Sequence, residues 1–149
     1  MITLGANFIL DNSEMNGAWS SASESTLRYE CFIGDLCFIV GESDFSTDWE
    51  WTPIWDAALD IRHALELLWG GTAEVAGFEF TESEASIRFS RNADEITVAA
   101  NYVEGIATCD FAELRRAAQL FVGNVSSRIT AHYPELSQNP EFLGAFQNV

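Results

Sequence analysis

Two histidines, three cysteines and twenty-three carboxylates are the side chains with which this 149-residue chain could do chemistry. His63 falls two positions past Ile61 in a stretch of helical periodicity. His132 closes a second such stretch, where an imidazole suits the C-terminal end of a helix. Neither is expected to be catalytic or to hold a metal. Carboxylate pairs at Glu82/Glu84 and Asp94/Glu95 could exchange protons or hold a hard cation, but both fall in turn-type links, where solvated acids are the simpler reading. No HExxH, CxxC, glycine-rich phosphate loop, GxSxG or EF-hand pattern occurs. The expectation is a protein that is not an enzyme, with no cofactor and no metal ligands.

The chemistry that does stand out is recognition. Eleven carboxylates within the first sixty residues face a single Arg28. Between Glu42 and Asp60 there are six acids and no base, and Trp49, Trp51 and Trp55 lie among them. Carboxylates beside large apolar rings are what a surface needs to attract and anchor a basic partner. Asp44, Asp48, Glu50, Asp56 and Asp60 are the candidates for charge, and Trp49 and Trp51 for anchors. The plainer use of the same residues is that acids at Asp48, Glu50 and Asp56 suit a helix start and that Trp51 and Trp55 fill a junction between helix and sheet.

The net charge of −16 comes from those acids against seven arginines and no lysine, at a sequence pI near 4.1. Such a field disfavours direct nucleic-acid binding, which needs cations to neutralise phosphates, and repels anionic membranes. Nearly half of the residues are hydrophobic, too many for a disordered acidic tail, so the chain is expected to fold as one domain over residues 1–149. Met1 to Leu10 has no basic start, and no stretch nears the roughly 18 apolar residues of a spanning helix. A cytoplasmic protein is expected.

The elements that must position these residues follow from periodicity. Asn7 to Asp11 reads as a strand, and the Ser-, Asn- and Gly-rich Asn12 to Ser25 as a loop with a tight turn at Asn16-Gly17. Thr26 to Val40 alternates on both sides of Gly34-Asp35, which predicts a hairpin with Cys31 and Cys37 on opposite faces. With an odd third thiol at Cys109, reduced cysteines are expected. Thr52-Pro53 opens a helix carried by Ile54, Ala57, Ile61, Leu65 and Leu68 and ended by Gly70-Gly71. Val75–Thr81, Ala85–Ser90 and Glu95–Val103 alternate as a meander. Asp110, with Glu113 three residues on, opens a second helix, with Leu114, Ala118, Phe121, Val125, Ile129 and His132 in one stripe up to Pro134. The tail holds Leu136, Phe142, Leu143 and Phe146, a last short helix or docked arm. The order predicts an α+β fold, an antiparallel sheet of about five to six strands with two main helices on one face.

In its single domain, acid-dominated surface and run from Asp44 to Trp55, the chain resembles the small acidic immunity proteins that bacteria encode beside polymorphic or contact-dependent toxins. That resemblance implies stoichiometric binding to a cognate toxin domain, often a basic nuclease, with carboxylates standing in for nucleic-acid phosphates. The alternative is an assembly domain that self-associates, as a homodimer for instance, with the charge serving solubility.

Overall fold

The computed structural model describes residues 1–11, 18–81 and 83–147, and shows an α+β fold with eight strands in two antiparallel sheets of four. The first sheet contains β1 (Ile2–Phe8), β2 (Ile33–Val40), β3 (Ser43–Asp44) and β4 (Thr47–Pro53). β2 pairs with all three others. The second is a meander of β5 (Val75–Glu79), β6 (Ser86–Asn92), β7 (Glu95–Ala100) and β8 (Ile106–Asp110). The strands thus divide between two sheets where the sequence suggested one. Two main helices, α2 (Ile54–Trp69) and α3 (Phe111–His132), pack against each other, and the shorter α1 (Glu24–Tyr29) and α4 (Pro140–Gln147) flank them.

The expected hairpin over Thr26–Val40 does not form. Ser23 takes an extended conformation and its hydroxyl accepts the Thr26 N–H at 3.2 Å, starting α1 where alternation had suggested a strand. β2 then runs unbroken through Gly34 and Asp35. Gly34 pairs with Phe8 so closely that a Cβ there would lie 2.0 Å from the Asn7 carbonyl oxygen. The glycine serves close backbone approach and not a turn. The first strand accordingly lies over Ile2–Phe8, upstream of the Asn7–Asp11 expected, and the Asn16-Gly17 turn and Glu82 lie outside the described residues. Cys31, Cys37 and Cys109 form no disulfide among the described residues.

Both main helices form where periodicity placed them. α2 buries Ile54, Trp55, Ala57, Ala58, Ile61, Leu65 and Leu68, and Gly70 ends it. It is the central element, touching α3, β5 and β2, with Trp55 stacked on Phe142 of α4 at 5.0 Å. α3 is capped as its sequence predicts, the Asp110 carboxylate accepting the Glu113 N–H at 2.9 Å. Its stripe is buried from Leu114 to Ile129, whereas His132 is exposed. Phe38 of β2 meets Phe89 of β6 with ring centroids 6.4 Å apart, so the two sheets share one core. β8 escaped the sequence reading because its inward residues, Ala107 and Cys109, are small and its largest side chain, Ile106, points out and is 64% exposed. Among the described residues no helix is long and apolar enough to cross a membrane.

Candidate functional site: an acidic aromatic bulge

The acid- and tryptophan-rich segment is a strand with a bulge in it. Thr47 pairs with Leu36 and Thr52 with Gly34, so β4 advances five residues while β2 advances two. Asp48, Trp49, Glu50 and Trp51 fill the excess opposite Asp35. Such an excursion bends the strand and re-aims its side chains. Two contacts hold its base. The Thr47 and Thr52 hydroxyls lie 2.8 Å apart, both fully buried, and Thr47 Oγ1 also accepts the Leu36 N–H at 3.1 Å. A third contact holds its tip: the Glu50 N–H donates to the Asp35 carboxylate at 2.7 Å. Glu50 has φ 65, a left-handed conformation that a side chain with a Cβ adopts at a cost. A backbone strained and bonded in this way presents one fixed arrangement outward.

That arrangement is an aromatic stack. Trp49 lies edge-on against Phe80 and Tyr102, at 5.3 and 5.1 Å, which seats it on residues just past the ends of β5 and β7. Trp51 stacks on Trp49, 5.0 Å away and near-parallel, and remains 43% exposed. The Tyr102 hydroxyl donates to the Phe45 carbonyl at 2.7 Å, and burial together with the charge of Asp44 pushes its pKa upward. Asp44 is thereby placed beside the same aromatic seat. Its carboxylate is held below the usual range by hydrogen bonds from the Ser46 hydroxyl and N–H. Asp44, Asp48 and Glu50 are exposed, and none is ion-paired among the described residues.

Beside the bulge lies a groove lined by Phe8, Ile9, Ile33, Asp35 and Glu50, with Ile9 60% exposed. Sequence reasoning missed it because Asp35 read as part of a turn and Ile9 as part of a strand.

Five of the seven residues singled out from the sequence, Asp44, Asp48, Trp49, Glu50 and Trp51, lie on β3 and β4; Trp49 and Trp51 stack, and Asp44, Asp48, Glu50 and Trp51 are exposed. Asp56 and Asp60 do not join them. Asp56 is 3% exposed, and its carboxylate accepts Arg28 Nε at 2.6 Å and the Thr81 hydroxyl at 2.9 Å. Asp60 accepts Arg28 Nη2 at 2.8 Å. Both acids fasten α1 to α2 and stand apart from the bulge, Asp56 buried and Asp60 partly exposed. The first base of the chain is spent on them, and Glu24 completes the group at 3.3 Å from Arg28. Burial works against the Arg28 charge, yet attraction to Asp56 and Asp60 holds its pKa above the ordinary value. One guanidinium does not offset two carboxylates: burial and repulsion from Asp56 push Asp60 up to about 6. Trp55, the third indole of the segment, is wholly buried.

No protein-family model, curated protein or solved structure matches this chain. Its function is argued from this surface alone. Among the described residues, no three His, Cys, Asp or Glu side chains are grouped to hold a metal ion.

Proposed function

We propose that this chain is a non-catalytic binding protein that neutralises a basic protein, acting as an immunity protein for a toxin domain of the nuclease kind. The observation that carries this reading is the exposed Trp51 indole, stacked on Trp49 in a pinned bulge whose two acids, Asp48 and Glu50, are exposed and make no ion pair among the described residues. A rigid indole supplies contact area at low entropic cost and is frequent among hot spots, while uncompensated carboxylates steer a cationic partner before contact. The groove at Ile9 and Ile33 supplies an apolar floor next to the charge.

The test is binding to a toxin-like C-terminal domain encoded immediately upstream, followed by biolayer interferometry at low and high salt. Association is expected to slow by roughly tenfold or more as salt rises through the physiological range. Asp48→Asn with Glu50→Gln should slow association, and Trp51→Ala should speed dissociation. A complex indifferent to salt and to all three substitutions excludes this face from the interface.

One observation favours self-association instead. The outer face of the second sheet carries Val75 at 53% and Ile106 at 64% exposure, with Gly77, Thr97 and Ala99 around Arg88 of β6. If that face is the interface, light scattering gives a dimer whose stability does not respond to Trp51→Ala.

A further inference from the structure

Arg62 of α2 is 8% exposed, and its Nη2 donates to the Ala145 carbonyl of α4. No carboxylate among the described residues lies within ion-pairing distance of it. The acids nearest in sequence are engaged elsewhere, Asp60 with Arg28 and Glu66 with Arg115. Burial lowers the Arg62 pKa from its ordinary value against the attraction of Glu66. A guanidinium carries five N–H donors, and holding its charge out of water without a counter-ion is unfavourable. Among the described residues the chain's many acids leave this guanidinium without a carboxylate.

A cleft of about 200 Å³ opens against Arg62, between Glu24 and Arg28 of α1 and Leu59, Asp60 and His63 of α2. Glu24 and Asp60 are turned onto Arg28, so the donors left for a ligand are those of Arg62 and of the exposed His63. We infer that this cleft binds a small organic carboxylate, its two oxygens taken by the Arg62 fork, the His63 N–H at the rim, and its short carbon stem against Leu59 and Ala145. The volume suits an acid of a few carbons and is too small for the folded surface of a partner. Asp60 sets the pH dependence. Ionised, it repels the ligand; protonated below about 6, it becomes a donor. The charged and titratable groups around it are Glu24 and Arg28 from α1 and Asp56, Arg62 and His63 from α2, while α4 contributes a carbonyl.

The experiment is a ¹H–¹⁵N NMR titration of the full chain with sodium acetate, against sodium chloride at equal ionic strength. Saturable shifts are expected at Arg62, His63 and Ala145, with affinity roughly tenfold higher near pH 5 than near pH 7.5. Asp60→Asn should bind acetate severalfold more tightly than the parent near the higher pH. Arg62→Lys keeps the charge but loses the fork, and should weaken binding by about tenfold. His63→Gln, at an exposed position, should weaken binding and leave the fold intact. Equal shifts with chloride, shifts located away from the cleft, or affinity unchanged in both Arg62→Lys and His63→Gln would overturn the inference. A blocked dipeptide whose C-terminal carboxylate binds more tightly than acetate would overturn the free acid as ligand.

Discussion

The hydroxyls of Thr47 and Thr52 meet at 2.8 Å across the mouth of a segment whose intervening four residues stand opposite a single residue of β2. This one contact lets β4 resume its pairing with β2 after the excursion, so the geometry of the acidic aromatic face depends on two buried side chains that do not belong to it. Thr47→Val, close in shape, leaves the Leu36 N–H without its acceptor and Thr52 without its partner. A loss of about 1–3 kcal/mol is expected by urea denaturation. Acrylamide should also quench Trp51 emission more readily, since the bulge then has only its Asp35 contact. A variant of unchanged stability would show that the hydroxyl pair does not hold the bulge.

Gly34 and Gly5 make a matched pair of probes. Both lie in the first sheet, Gly34 on β2 and Gly5 on β1. A Cβ at Gly34 would meet backbone atoms of Asn7 and Phe8 at 2.0 and 2.5 Å, whereas nothing lies within 4 Å of one at Gly5. Gly34→Ala must push β1 off β2, and is expected to cost more than about 2 kcal/mol in denaturant melts. Gly5→Ala should change stability by less than about 1 kcal/mol. Equal effects at the two sites would refute the close-approach account of Gly34.

The two main helices were legible in the sequence because their signals are local: Pro53 and Gly70 bracket α2, and Asp110 caps α3. The first sheet was not, because Gly34 has the same residue type whether it turns a chain or admits a neighbouring backbone, and only the partner strand decides between them. The candidate face was legible in part. Asp48, Trp49, Glu50 and Trp51 advertise acid and indole together, but the acids there read as suited to a helix start where the chain forms β4, and the Thr47–Thr52 closure is a tertiary fact. Asp56 and Asp60 looked like their neighbours in charge. That Arg28, on a different element, takes both of them is visible only once α1 and α2 are packed.

Asp60 makes stability depend on pH in an unusual direction. Its folded pKa of about 6 lies above the ordinary 3.8, so between those values the folded state holds a proton that the unfolded state has released. With respect to this group, stability rises as pH falls from about 6 toward 4, and the contribution is lost as pH rises through 6. The amplitude is on the order of 3 kcal/mol at most. Urea melts across this window should show that slope, and Asp60→Asn should flatten it without lowering stability near neutral pH. Asp56→Asn should behave oppositely at neutral pH, destabilising the protein by about 2 kcal/mol or more, because it leaves Arg28 without its closest partner at a buried site.

Trp51 and Trp49 separate binding from folding. Trp49 packs against Phe80, Tyr102 and Trp51, while Trp51 stacks on Trp49 and remains 43% exposed. Removing Trp49 collapses the seat of the stack, so Trp49→Ala should cost about 2–4 kcal/mol of stability and partner affinity together. Removing Trp51 takes away one stacking contact, about 1 kcal/mol of stability, yet deletes the outermost anchor of the proposed interface. Trp51→Ala is therefore expected to melt close to the parent while binding the proposed basic partner at least about thirtyfold more weakly, mainly through faster dissociation. Calorimetric melts beside binding kinetics on the same preparations give both numbers. A Trp51→Ala protein that keeps full affinity would mean that the exposed indole is a lid on Trp49 and not an anchor, and the basic partner would have to dock on charge alone.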